Sequence, residues 1–157
     1  MNESDSTRPI LLVEDNPDHA ELTADAIKNC KVVNPVIWIE DGESALDFLY
    51  RRGKYADRKD DDPLLILLDI KLPGMDGLEV LKAIRDDEHF ASVPVVMLTT
   101  SSEESEALKA YSYHANSYVV KPMNFKDFYD RVQELNLYWT LTNYCPTNPE
   151  EQWTKNE

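Results

Sequence analysis

Residues 64–69 read Leu-Leu-Ile-Leu-Leu-Asp, and this stretch decides the fold class. A strand with one solvated face alternates apolar and polar residues, so an unbroken apolar run predicts a strand that is covered on both faces. The short length of the run and the polar segments at both ends favour a strand over a buried helix. We therefore predict a central strand of a parallel sheet that ends on a carboxylate.

Strand-like and helix-like segments alternate on both sides of this run. The predicted strands are 10–13, 36–39, 64–68, 93–98 and 117–120. Apolar residues at helical spacing follow each strand, and the first helix begins at Asn16-Pro17, a capping residue before a proline that suits the first helical position. This alternation is typical of an α/β fold with a doubly wound parallel sheet.

The segment 51–63 interrupts the alternation. It is rich in charged residues and contains Gly53 and Pro63, so we expect it to be too polar to pack and to form a solvated surface loop. For the chain as a whole we expect a polar tail at 1–8, one domain at 9–136 and an aromatic extension at 137–157.

Composition narrows the classes of function. The chain has 157 residues and a formal net charge of −14 at pH 7, which opposes binding to nucleic acids and to anionic membranes. Cys30 and Cys145 form no metal-binding spacing, and no apolar run approaches the roughly 20 residues of a membrane span. We expect a cytoplasmic protein with reduced thiols.

Polar residues collect where the predicted strands end: Glu14, Asp15, Asp69, Thr99 and Lys121. In a doubly wound sheet these ends meet at one edge, where ligands bind. Three carboxylates that lie close together repel one another unless a cation lies among them, and oxygen ligands suit Mg²⁺ better than zinc. The pattern predicts a magnesium site.

A lysine beside such a site indicates that a second anion binds there, and a phosphoryl group is that anion. Asp69 can attack phosphorus to form an acyl phosphate, while Lys121 and the Thr99 hydroxyl can bind phosphoryl oxygens. Considered singly, the acidic pair could be two solvated charges and Thr99 a capping hydroxyl at the end of its strand. Their convergence on one edge favours the phosphoryl site.

Four blocks at these strand ends resemble the signature of the response-regulator receiver domain. They are Val-Glu-Asp-Asn-Pro at 13–17, Leu-Asp-Ile-Lys-Leu-Pro-Gly-Met-Asp-Gly at 68–77, Leu-Thr-Thr-Ser at 98–101 and Tyr-Val-Val-Lys-Pro at 118–122. The resemblance implies a flavodoxin-like, CheY-like fold of five strands in the order 2-1-3-4-5 with five helices. It also implies a phosphoprotein of two-component phosphorelay signalling, phosphorylated by a histidine kinase.

The resemblance also implies a role for each position. Asp69 is the phosphoacceptor, Thr99 and Lys121 bind the phosphoryl group, and Thr99 with Tyr118 forms the switch. Tyr118 could equally be an ordinary half-buried aromatic of the sheet. His19 is given no role, because we expect it to face solvent. The implied ligands of Mg²⁺ are Glu14, Asp15, Asp69 and the backbone carbonyl of Lys71.

The alternative function is a Mg²⁺-dependent phosphohydrolase that forms an aspartyl phosphate. Such haloacid-dehalogenase-like enzymes place a second aspartate two residues after the nucleophile, and here that position is Lys71. We therefore expect a phosphoacceptor that assists its own phosphorylation and dephosphorylation, not an enzyme. A receiver-like module that is never phosphorylated would have lost part of the site, and no part is missing.

A narrower likeness rests on Asp-Phe-Leu-Tyr-Arg-Arg-Gly-Lys-Tyr at 47–55, the loop after it and the aromatic tail. These features are similar to single-domain response regulators that serve phytochrome histidine kinases, and they imply a homodimer. The tail could instead fold back on its own domain. The candidate dimer residues are Tyr138, Trp139, Leu141 and Tyr144.

Overall fold

The computed structural model describes residues 8–29, 34–100, 104–121, 124 and 126–134. These residues contain five strands, namely β1 Ile10–Val13, β2 Val36–Ile39, β3 Leu65–Leu68, β4 Val95–Thr99 and β5 Ser117–Val120. They also contain five α-helices, namely α1 Pro17–Lys28, α2 Gly42–Tyr50, α3 Gly77–Asp86, α4 Glu104–Ser112 and α5 126–134.

The strands form one parallel sheet in the order β2-β1-β3-β4-β5. Leu12 of β1 lies between Trp38 of β2 and Leu67 of β3. The order reverses at β1, so the chain leaves β1 and β3 toward opposite faces and a crevice opens at their carboxyl ends. The predicted fold class and strand order are confirmed.

Alternate residues of each strand point to opposite faces of the sheet. Leu11 and Ile66 pack with α2, α3 and α4, whereas Leu12 and Leu67 pack with α1 and α5. Each fully buried leucine or isoleucine stabilises the fold by roughly 1.5–3 kcal/mol. Because both faces are apolar, polar chemistry is confined to the two edges: the amino edge, where the strands begin, and the carboxyl edge, where they end.

Two predicted strand boundaries are wrong by one or two residues. β3 begins at Leu65 and not at Leu64, although Leu64 is buried. β4 begins after Pro94, which has no N–H for the ladder, and it extends to Thr99 by pairing with Val120.

The prediction that 51–63 is too polar to pack is wrong in part. The side chain of Arg58 is only 2% exposed, and its guanidinium lies 4.4 Å from the centroid of the Phe48 ring. It donates hydrogen bonds to the carbonyls of Phe48 at 2.6 Å and Leu49 at 3.3 Å, and it pairs with Asp62 at 2.8 Å. A guanidinium has five N–H donors, so it can be buried when carbonyls surround it.

The aromatic extension 137–157 lies outside the described residues, as do the candidate dimer residues Tyr138, Trp139, Leu141 and Tyr144. The domain boundaries at 9 and 136 therefore stay predictions. Among the helices in the described part of the chain, none is long and apolar enough to cross a membrane.

Candidate functional site

Glu14 and Asp15 are held at the carboxyl edge by the start of α1. Asn16 caps this helix, its side chain accepting hydrogen bonds from the backbone N–H groups of Asp18 at 2.9 Å and His19 at 3.2 Å. The N–H of Asn16 in turn donates to Glu14 Oε1 at 3.2 Å. The cap thus fixes both the turn and the Glu14 carboxylate.

Asp69 lies beside this pair because its N–H continues the ladder, donating to the carbonyl of Val13 at 3.1 Å. The turn after Asp69 needs a glycine at position 77. A Cβ on Gly77 would lie 2.0 Å from the carbonyl oxygen of Asp69, far inside van der Waals contact. The N–H of Lys71 donates to Asp69 Oδ1 at 3.2 Å, which orients the carboxylate.

Lys121 reaches the same place from the end of β5. Its N–H donates to the carbonyl of Thr99 at 2.7 Å, so both residues sit at the carboxyl edge. Its ammonium contacts Glu14 Oε2 and, at 3.2 Å, Asp69 Oδ2. Thr99 is buried at the end of β4. The structure therefore brings together the residues that the sequence analysis selected at these strand ends.

The three carboxylates form a compact cluster. Glu14, Asp15 and Asp69 each offer an oxygen within 4.8 Å of the others; Glu14 and Asp69 are buried, whereas Asp15 is exposed. When all three carboxylates are ionised, the one ammonium leaves two of their negative charges unbalanced. A divalent cation that takes hard oxygen ligands and keeps some waters fits this set, with Asp15 on its open side.

Burial raises the pKa of Glu14 to about 7, although the hydrogen bond and the charge of Lys121 act in the opposite direction. Without a further cation this carboxyl is therefore only partly ionised near neutral pH. The cluster thus needs additional positive charge to be fully ionised, which is a second reason why it fits a metal site.

His19 is only partly exposed, so the prediction that it faces solvent is wrong in part. Its Nδ1 lies 3.1 Å from Lys121 Nζ, and its ring is 6.0 Å from the Phe128 ring. Burial and the charge of Lys121 lower the pKa of His19. The overlooked signal was helical spacing, because His19 precedes the buried Thr23, Ala26 and Ile27 by steps of four, seven and eight residues.

Tyr118 is half-buried on β5 opposite Met97, and it packs against the core that includes α3 and α4. Its N–H donates to the hydroxyl of Tyr111 at 3.2 Å. Tyr111 of α4 is 49% exposed, and its hydroxyl reaches β5. This position is compatible both with a switch and with an ordinary sheet aromatic.

The chain is similar in sequence to two regulatory proteins. The chain is 42% identical over 137 residues to the probable methanogenesis regulatory protein FilR2 of Methanothrix harundinacea, covering 87% of this chain and 86% of FilR2. It is 37% identical over 145 residues to the response regulator Rcp1 of Synechocystis sp., covering 92% of this chain and 97% of Rcp1.

Solved structures give the same result. The phosphorylated cyanobacterial phytochrome response regulator RcpA matches with a TM-score of 0.83 at 36% identity, covering 89% of this chain and 99% of RcpA. The Mn²⁺-bound form of Rcp1 matches with a TM-score of 0.80 at 37% identity, covering 84% of this chain and 94% of the Rcp1 chain. The family model of the response regulator receiver domain matches residues 10–133, and the chain belongs to this family.

Proposed function

We propose that Asp69 accepts a phosphoryl group from a histidine kinase in a reaction that requires Mg²⁺. The observation that supports this most directly is the contact of Asp69 Oδ2 with Lys121 Nζ, 3.2 Å apart, inside a cluster of three carboxylates. Glu14, Asp15, Asp69 and the backbone carbonyl of Lys71 would hold the cation. Bound there, Mg²⁺ supplies positive charge for the carboxylates and the phosphoryl oxygens.

The transfer is a displacement at phosphorus. A carboxylate oxygen of Asp69 attacks, the bond between phosphorus and the kinase imidazole breaks, and its electron pair returns to the ring nitrogen. The second nitrogen of the phosphorylated imidazole carries a proton, so the ring leaves as neutral imidazole. Lys121 is already beside Asp69 and can donate to a phosphoryl oxygen, as can the hydroxyl of Thr99. Both donors stabilise the negative charge on the oxygens of the phosphoryl group during transfer.

The phosphohydrolase alternative is disfavoured by Lys71. A general acid would be needed two residues after the nucleophile, but Lys71 there forms an ion pair with Glu106 of α4, 2.6 Å away. A lysine in an ion pair is a poor proton donor near neutral pH. We therefore propose that the acyl phosphate serves as a signal and that the chain is not an enzyme with a separate substrate.

The signal would pass through Thr99 and Tyr118. We propose that Thr99 moves toward the phosphoryl oxygens and that Tyr118 then turns inward, changing the surface of α4 and β5. The hydrogen bond from the Tyr118 N–H to the Tyr111 hydroxyl ties these two elements together and supports this proposal. NMR spectra of the phosphorylated protein that are unchanged at Tyr118 would contradict it.

For the input we propose a phytochrome-type histidine kinase. The similarity to the phytochrome response regulator RcpA supports this, whereas FilR2 carries a different regulatory name. Rates of phosphotransfer from purified kinases distinguish a phytochrome-type kinase from other histidine kinases as the input. We expect a phytochrome histidine kinase to phosphorylate the chain faster than an unrelated histidine kinase does, and equal rates would contradict the assignment.

We further propose a cytoplasmic homodimer. Exposed Tyr111 and Val120 on α4 and β5 support a contact there, and the aromatic residues of the extension would enlarge it. Sedimentation of the intact chain should show a dimer, and the double variant Trp139→Ser, Leu141→Ser should shift it to monomer. Identical masses would mean that the extension covers its own domain.

Mass spectrometry of the intact chain tests the main proposal. After incubation with acetyl phosphate and Mg²⁺, the wild type should gain one phosphoryl group, and chelation of the metal should prevent the gain. Asp69→Asn should gain none, because an amide is not a nucleophile here. The matched control Asp60→Asn, in an exposed loop, should behave as the wild type does. Phosphorylation of Asp69→Asn would refute the assignment.

A further inference from the structure

The ammonium of Lys121 has three N–H groups, and the structure gives three acceptors for them. They are Glu14 Oε2, Asp69 Oδ2 at 3.2 Å and His19 Nδ1 at 3.1 Å. An ammonium cannot accept a hydrogen bond, so Nδ1 of the imidazole must be the acceptor. His19 is therefore neutral in this contact, with its proton on Nε2.

His19 differs from the other two acceptors in what the proposed function asks of it. During transfer Glu14 binds the cation and Asp69 bonds to phosphorus, so both carboxylates have other partners. His19 is neither a proposed metal ligand nor the phosphoacceptor. Among the three acceptors that the structure shows for Lys121, the imidazole alone can keep its contact unchanged throughout the reaction.

The surroundings of His19 fix it in this position. The backbone N–H of His19 donates a hydrogen bond to the Asn16 side chain at 3.2 Å, and the backbone carbonyl of His19 accepts one from Thr23 Oγ1 at 2.7 Å. Its ring lies 6.0 Å from the buried ring of Phe128, and Lys121 Nζ lies 6.0 Å from the same ring. The imidazole of His19 on α1 and the ammonium of Lys121 thus both lie near the Phe128 ring of α5.

We propose that His19 is a positioning residue, whose imidazole accepts a hydrogen bond from Lys121 and aims the ammonium at the phosphoryl group on Asp69. This inference rests on the proposed function of Asp69. It concerns the contact at Nδ1 and requires no change in the protonation of His19.

Two substitutions separate the hydrogen bond from packing. In His19→Asn the amide oxygen can take the place of Nδ1 and remain an acceptor, whereas His19→Leu fills similar space without one. The matched control is His89→Leu, which removes an exposed imidazole at the amino edge. The probes are Mg²⁺ alone and beryllium fluoride with Mg²⁺, which mimics a phosphoryl group on a carboxylate.

We expect His19→Leu to weaken the binding of beryllium fluoride by about tenfold or more, the usual effect of losing a hydrogen bond to a charged group. His19→Asn should retain most of the affinity, and His89→Leu all of it. The affinity for Mg²⁺ alone should be the same in all four proteins. Equal weakening in the Asn and Leu variants, or a parallel loss of Mg²⁺ affinity, would overturn the inference.

A second measurement needs no phosphoryl mimic. In ¹⁵N NMR spectra, the ammonium protons of Lys121 should exchange with water more slowly in the wild type and His19→Asn than in His19→Leu. Equal exchange in the three proteins would overturn the inference even if the wild type binds beryllium fluoride. If exchange differs as expected but the wild type binds no beryllium fluoride, the proposed function fails and the positioning role fails with it.

Discussion

Cationic side chains lie at both edges of the sheet, but their hydrogen-bond partners differ between the two edges. At the amino edge, Arg58 and Arg85 donate mostly to backbone carbonyls. Arg85, in the last turn of α3, contacts three carbonyls and the side-chain oxygen of Asn116, and it joins the segments that precede β4 and β5. At the carboxyl edge, Lys121 contacts two carboxylates and an imidazole.

The two edges differ in how their charges are balanced. Carbonyls carry no net charge, and Arg58 also has the Asp62 carboxylate, so that pair is neutral and its donors are satisfied. With all three carboxylates ionised, the carboxyl edge would carry two negative charges after Lys121 is counted, and burial makes the ionised form of Glu14 costly unless a further cation binds. A buried cation with balanced partners is structural, whereas an unbalanced cluster indicates a site that awaits a ligand.

The largest effect that we expect from this comparison is at Arg58. Arg58→Met should lower the free energy of unfolding by about 3 kcal/mol, because it leaves buried carbonyls and Asp62 without their donor. Mg²⁺ should not restore the loss. The control Arg52→Met removes a largely exposed ion pair with Asp47 and should cost less than about 1 kcal/mol. Urea unfolding measures both, and equal costs would contradict a structural role for Arg58.

A smaller effect is expected at Lys121. Lys121→Met should lower the free energy of unfolding by roughly 1–3 kcal/mol in the absence of metal, because the buried carboxyl groups of Glu14 and Asp69 then lose their shared hydrogen-bond donor and its charge. In contrast to Arg58→Met, added Mg²⁺ should recover much of this loss, and metal binding should persist. The same urea unfolding with and without Mg²⁺ tests this, and a loss that is insensitive to Mg²⁺ would contradict the charge imbalance.

The smallest effect is a dependence on pH at Asp62. Burial acts to raise its pKa, but hydrogen bonds and charges from Arg58 and His89 outweigh burial and lower it. A lowered folded pKa contributes stability that is complete above the unfolded pKa, about 3.9, and is lost as the pH falls through the folded pKa. Above that range the Asp62 carboxylate stays ionised, so wild type should be more stable than Asp62→Asn.

Below about pH 4, the difference between the unfolding free energies of wild type and Asp62→Asn should shrink, because the wild-type carboxylate takes up its proton. Chemical unfolding at a series of acidic pH values measures it. Parallel curves down to the acid limit would show that the pair contributes nothing at the amino edge.

How far the sequence predicts each edge follows from the range of the interactions. The strands and the clustering of Asp69 and Lys121 were predictable, because apolar runs mark strands and parallel strands bring their ends to one edge. The cap at Asn16 was predictable because its hydrogen-bond partners are only two and three residues away.

The contacts of Arg58 and His19 were not predictable, because they depend on distant groups. Arg58 is buried against two carbonyls near the end of α2, and His19 contacts Lys121, 102 residues later. Charge and polarity along the chain indicate exposure for both residues. Only the packed structure supplies the carbonyls that make burial of Arg58 favourable and the ammonium that His19 contacts.

The thermal unfolding midpoint with and without Mg²⁺ tests the central claim, that an excess of carboxylate at the carboxyl edge creates a divalent cation site. At about a hundredfold excess over its dissociation constant, Mg²⁺ should raise the midpoint of the wild type by roughly 5–10 °C. Asp62→Asn should show the same rise and Asp15→Asn a much smaller one. A full rise in Asp15→Asn, or its loss in Asp62→Asn, would contradict the account.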